Sequence, residues 1–187
     1  MKNASLESDS AMKNRPFDRA VFLEADGVIK TDRFGFNDRC MQKLASLLKG
    51  INGTVILYSD RKKMLDDDGH AITPEGEELL KAFEKYRISM PEKTPCIKTT
   101  DLERYEEEDL NAGINAWLSE HPEIKEYAIL GDREFKGELR QHAVCVNPFL
   151  GLRTEDVSRA RIIMHIPPSD DPEDLEELEK LPGWLSV

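Results

Sequence analysis

Val21-Phe22-Leu23-Glu24-Ala25-Asp26-Gly27-Val28 decides how this chain is read. An apolar run long enough for a buried strand stops abruptly at two carboxylates, a glycine and a further apolar residue. On an extended backbone Glu24 and Asp26, at i and i+2, point the same way, and a glycine directly after them lets the chain turn tightly beside a ligand. A strand that delivers two acids and a glycine to a sheet edge is a layout suited to Mg²⁺ and phosphate.

Outward from that stretch, the chain has 187 residues, of which 39% are apolar and 34% charged, enough for one sizeable core and a single domain. The net charge of −11 and pI near 4.9 argue against nucleic-acid binding through neutralised phosphates. Cys40, Cys96 and Cys145 stand far apart with no Cys-x-x-Cys pair, which suits buried free thiols in a reducing compartment. There is no run of about 18 apolar residues to span a membrane. The first twenty residues lack a secretory apolar core and contain Glu7, Asp9 and Asp18, so the default expectation is a cytoplasmic location.

Strand and helix patterns alternate along the chain. Residues 1–17 are polar and read as a flexible arm, followed by a strand at 20–25. Asn37 is placed to cap a helix with apolar positions Met41, Leu44, Leu47 and Leu48. A buried strand, Thr54-Val55-Ile56-Leu57-Tyr58, runs into Ser59-Asp60-Arg61. Thr73-Pro74-Glu75 opens a helix with threonine as cap and acids near its positive end, carrying Leu79, Leu80, Phe83 and Tyr86 inward. Cys96–Thr99 forms a weak third strand. Leu110, Ile114, Trp117 and Leu118 mark the next helix, 127–130 a fourth strand ending at Gly131-Asp132, 143–146 a fifth, and Thr154-Glu155-Asp156 caps a helix to about Met164. This order favours a mostly parallel five-stranded sheet covered on both faces, over 18–166. In such sheets ligands sit beyond the carboxyl ends of the strands, which brings Glu24, Asp26, Ser59 and Asp132 into consideration together. Asp66-Asp67-Asp68-Gly69 reads as a solvated turn, since a calcium loop spreads its oxygen ligands over twelve residues. His70, His121, His142 and His165 have no ligand spacing.

The strand ends carry a resemblance. Asp-x-Asp-Gly-Val is the first motif of the haloacid dehalogenase (HAD) superfamily, and the chain is similar to the small HAD domains attached to RNA-repair enzymes. Their pattern continues with strand-Ser-x-Trp-Arg, Arg-x-x-Glu-Ile-x-x-Trp-Leu, Leu-Asp-Asp and Gly-Leu. Here Glu24 replaces the first aspartate, and Tyr58-Ser59-Asp60-Arg61 keeps serine and arginine without tryptophan. Leu110 stands where arginine is expected, Gly113 replaces glutamate beside Ile114 and Trp117-Leu118, Leu130-Gly131-Asp132 keeps one acid of two, and Gly151-Leu152 matches the end. The resemblance implies a three-layer Rossmann-like HAD fold with a minimal cap or none. It implies Glu24 as nucleophile and Asp26 as general acid and base. It also implies Ser59 as the phosphate-binding hydroxyl, with Arg61, Lys98 or Lys136 as substitutes for the missing basic residue, and Mg²⁺ on Glu24, the Asp26 carbonyl and Asp132. Lys136, standing where other superfamily members have a second acid, offers its ammonium in place of a metal. A glutamate carboxylate reaches roughly 1.5 Å further than an aspartate, and phosphoryl transfer loses about a hundredfold from a misplacement of that order.

Two readings follow. One is a degenerate HAD-like domain with weak or lost catalysis and a binding or structural role in a complex. The other is an active Mg²⁺-dependent phosphatase using Glu24 and Asp26 on an exposed phosphate of a macromolecule. The acidic tail 167–187 places Leu175, Leu178 and Leu181 on one side of a short helix before Trp184, a stripe that docks on its own domain or on a protein partner.

Overall fold

The structure, a computed structural model, describes residues 17–31, 35–49, 51–89, 91–97 and 110–167. The arm up to residue 16, Lys98, the acidic stretch 101–109 and the leucine tail therefore lie outside the described residues. Five strands form one parallel sheet: β1 (Arg19–Leu23), β2 (Gly53–Leu57), β3 (Glu92–Lys93), β4 (Glu126–Gly131) and β5 (Ala143–Cys145), in the order β3-β2-β1-β4-β5. The helices are α1 (Asp38–Leu48), α2 (Pro74–Lys85), α3 (Leu110–Glu120) and α4 (Thr154–Ile163), with short 3-10 helices at Asp60–Met64 and Gly137–His142.

Strand β1 shows why the fold is layered. All five of its residues pair with β2 on one side and β4 on the other. Successive side chains then go to opposite faces. Val21 and Leu23 enter a core with Met41, Leu44 and Leu47 of α1, Leu79 and Phe83 of α2, and Val157 and Ala160 of α4. Ala20 and Phe22 enter a second core with Ile114 and Trp117 of α3, Phe135 and Leu139. Phe22 meets Trp117 edge-on at 5.5 Å between ring centres. Each such fully buried apolar side chain contributes about 1.5–3 kcal/mol of transfer free energy, so β1 anchors both layers.

The helix starts follow from local chemistry. Asn37 accepts from the main-chain N–H of Arg39 at 3.0 Å and of Cys40 at 3.3 Å, and Thr73 accepts from Gly76 at 3.1 Å, each satisfying donors that a first turn leaves open. At α4 the cap is not in the expected Thr154-Glu155-Asp156 but one residue earlier, on Arg153, whose N–H donates to Asp156 at 3.1 Å.

Two further expectations need correction. The third strand is Glu92–Lys93, paired with Ile56 and Leu57, and Cys96–Ile97 are not in the sheet. Thr94 N–H still reaches the Leu57 carbonyl at 2.9 Å, but Pro95 has no N–H to give and the ladder ends there. The three cysteines are free, as expected, yet only Cys40 is buried. Cys145 ends the edge strand on the face away from buried Val144, and Cys96 lies beyond Pro95.

Candidate functional site at the carboxyl edge of the sheet

The strand order runs outward from β1 to β2 and β3, then returns to the other side of β1 with β4. The connections leave the sheet in opposite directions between β1 and β4, which opens a crevice at their carboxyl ends. Residues 24–30 form one wall of it. Glu24 N–H extends the ladder to the Leu130 carbonyl at 2.9 Å, then the chain turns back: Ile29 and Lys30 donate to the Ala25 carbonyl at 3.1 and 2.9 Å, and Gly27 donates to Lys30 at 2.9 Å. Gly27 has φ +76°, and a Cβ there would stand 3.0 Å from Pro148 Cβ and 3.1 Å from Asp132 Oδ2. Glycine is required both for the backbone and for this approach of Asp132 to the first loop.

Glu24 and Asp26 leave this turn for different surroundings. Glu24 is 4% exposed. Its Oε1 accepts from Arg133 Nη2 at 2.7 Å, and its Oε2 accepts from Asp132 N–H at 3.3 Å and the Tyr58 hydroxyl at 3.4 Å. Burial, the largest influence, raises its carboxyl above the ordinary 4.5, while the bond and charge of Arg133 pull it back. Burial also drives the Tyr58 phenol well above its usual range, with the Glu24 charge adding to the effect. Desolvation is the largest single influence on Arg133 and works against its charge, but the bond and charge of Glu24, with the charges of Tyr58 and Asp132, together leave its pKa raised. Asp26, by contrast, has a half-exposed side chain that accepts both prongs of Arg61, Nε to Oδ2 and Nη2 to Oδ1, each at 2.8 Å. That bidentate bond is the main reason the Arg61 pKa is raised.

Ser59 is buried at the start of the first 3-10 helix, and its side chain makes no capping bond there. Counted from Ser59, the arginine of Ser-x-Trp-Arg falls on Lys62 and the tryptophan on Arg61. Lys62 is 1% exposed, with Nζ donating to Thr94 Oγ1 at 2.9 Å and to the Pro95 carbonyl at 3.2 Å. Gly113 leaves room for this: a Cβ on it would lie 3.0 Å from the same Pro95 carbonyl. Lys136 is exposed, and the cation at Glu24 is instead Arg133. Tyr58, Lys62 and Arg133 are the site residues that the sequence reading passed over.

Mg²⁺ fits this arrangement poorly. Such an ion needs oxygen ligands at about 2.0–2.1 Å in near-octahedral geometry. On Glu24 Oε1 it would lie no more than about 5 Å from a guanidinium nitrogen already 2.7 Å from that oxygen. At Gly131, where the resemblance places an acid, a Cβ would overlap the Tyr58 hydroxyl and lie 3.0 Å from Glu24 Oε2. Among the described residues, the group whose ligand atoms gather within 4.8 Å is elsewhere, Asp66, Asp68 and His70. It belongs to the expected turn: Asp66 Oδ1 accepts from Asp68 and His70 N–H at 3.0 and 2.7 Å, and Gly69 has φ +81°. The remaining histidines are accounted for by packing or pairing, with His121 stacked on Trp117, His142 on Tyr127, and His165 beside Glu126. None of the described helices is long and apolar enough to cross a membrane.

No curated protein and no solved structure matches this chain. Residues 7–157 match the family described as the HAD domain in Swiss Army Knife RNA repair proteins. The match covers well over half of the chain and takes in all five strands, both acid–arginine pairs and the crevice between β1 and β4. This protein belongs to that HAD family.

Proposed function

We propose that this chain is a phosphohydrolase-type HAD domain whose catalysis is weak or lost, and which serves as a binding or structural part of an assembly. The observation that carries the reading is the state of Glu24. A nucleophile must present a lone pair to an incoming phosphorus at near-attack distance. Glu24 instead has a 6% exposed side chain whose two oxygens accept from three donors, one of them a guanidinium. Asp26, which would protonate a leaving alkoxide, has both oxygens on Arg61. Reaching an attack geometry requires breaking both pairs, on top of the extra methylene of glutamate.

Buried Ser59 and the Asp26-bound Arg61 are the residues we assign to a phosphate, and the neighbouring loop presents Phe149 88% exposed, next to the Pro148 that faces Gly27. An aromatic so exposed beside the acid turn suits a macromolecular surface laid over the site. The acidic tail, with Leu175, Leu178, Leu181 and Trp184, is the second contact we assign to a protein partner, on its sequence pattern. The second reading, an active phosphatase on a macromolecular phosphate, is favoured by the half-exposed side chain of Asp26. In it Glu24 attacks phosphorus and Asp26 gives its proton to the departing oxygen.

Turnover with Mg²⁺ separates the two. The substrates are phosphorylated RNA ends, chosen first because the family occurs in RNA repair proteins, then a phosphoprotein and a small aryl phosphate. The lapsed-enzyme reading expects the native chain to show no turnover that depends on Asp26. Native hydrolysis abolished by Asp26→Asn would establish the active reading in its place.

A further inference from the structure

In the HAD resemblance, the acids after β1 and β4 share a divalent cation, and the residues that would do so here are Glu24 and Asp132. Between them stands a side chain of the protein itself. Arg133 lies with Nη2 2.7 Å from Glu24 Oε1 and Nε 3.9 Å from Asp132 Oδ1. We propose that the Arg133 guanidinium, placed between the Glu24 and Asp132 carboxylates, supplies the positive charge that HAD relatives obtain from Mg²⁺, and that it closes this site to divalent cations. The inference rests on the lapsed-enzyme reading in one respect: a site that no longer transfers phosphoryl groups has no need of an exchangeable metal.

Three features of the surroundings agree. Tyr58 brings its hydroxyl against Gly131, where a further acid would start, so a phenol occupies the space of a ligand. The Asp132 N–H and the Tyr58 hydroxyl both donate to Glu24 Oε2, orienting the carboxylate so that Oε1 faces the guanidinium. Asp26 is drawn off to Arg61 and adds no charge to the cluster. A guanidinium offers directed donors to carboxylates and cannot lose its proton at any ordinary pH, so the charge is permanent. Lys136, which the sequence put forward for this role, has the right charge at the wrong place.

Mn²⁺ is the probe, because its binding is read from water-proton relaxation without any turnover. Full-length protein carrying Asp68→Asn, which silences the exposed Asp66–Asp68–His70 group, is titrated with Arg133 intact and with Arg133→Ala. Removing a cation from within a few ångströms of the seat should tighten Mn²⁺ binding at least about tenfold. Adding Glu24→Gln to the Ala variant should cancel the gain. Arg133→Gln, which keeps a donor at Glu24 without the charge, takes the place of the Ala variant if circular dichroism shows that variant unfolded. Equal Mn²⁺ affinity with and without Arg133, whether tight or weak, overturns the proposal. That result leaves the lapsed-enzyme reading standing, just as turnover dependent on Asp26 defeats that reading whatever Mn²⁺ does.

Discussion

The two acid–arginine pairs at the head of β1 are mirror images in burial. At Glu24–Arg133 the acid is inside, with 6% of its side chain exposed, and the arginine is half in water at 51%. At Asp26–Arg61 the arginine is inside at 14% and the acid is half in water at 53%. The member that has lost water is the one that depends on its partner. Glu24 without Arg133 is a buried charge with two long hydrogen bonds, whereas Asp26 without Arg61 is a hydrated carboxylate. The first pair therefore belongs to the architecture of the site, and the second works as a latch on a group that solvent can still reach.

The largest expected effect is steric. Gly131→Ala puts a methyl into the Tyr58 hydroxyl and against Glu24 Oε2 and should cost about 2–3 kcal/mol. That is a fall in Tm of about 5–10 °C for a chain of this size. Adding Tyr58→Phe removes the clashing oxygen and should return most of the loss. A loss that Tyr58→Phe leaves untouched would mean that the wedge is not at the phenol.

Next come the arginines themselves. Arg133→Ala leaves Glu24 buried and uncompensated, at a cost of about 1–3 kcal/mol in urea unfolding. Arg61→Ala releases Asp26 to water and should cost about 1 kcal/mol or less, mostly lost packing near Met64. Equal costs, or the reverse order, would break the asymmetry on which the comparison stands.

The smallest effect is a slope with pH. The Glu24 carboxyl is raised above the ordinary 4.5 in the folded protein, so the native state holds this proton more tightly than the unfolded chain. The stability associated with that proton is fully present below 4.5 and is lost as pH rises from there through the folded value. Glu24→Gln has no such proton. As pH rises from 4.5, native stability should therefore fall relative to the variant, with carboxylates shifted the other way, such as Asp38 and Asp60, cancelling in the difference. A native chain that gains on the variant through that window would place Glu24 in a better-solvated setting than the one described.

What the sequence disclosed follows the range of the interactions. The alternation of strands and helices, the caps at Asn37 and Thr73 and the glycine after Asp26 are local patterns, and all appear in the structure. Cys96–Thr99 reads as a strand on its own residues, but the ladder ends at Pro95, which has no N–H to give, and Cys96–Ile97 stand outside the sheet. Arg133 is 109 residues from Glu24, and no local pattern joins them. Tyr58 looked like the last apolar residue of a strand, because nothing near it in sequence reveals that its hydroxyl meets Gly131. Lys62 is legible locally, three places after Ser59, where the arginine of Ser-x-Trp-Arg falls.

Glu24 is held as a structural anion rather than presented as a nucleophile. Incubation of the native chain with a small phosphoryl donor such as acetyl phosphate and Mg²⁺, followed by mass spectrometry of the peptide containing Glu24, tests that directly. The expected result is no phosphoryl adduct on Glu24 in the native chain. A Mg²⁺-dependent adduct there, lost in Glu24→Gln, would contradict the account.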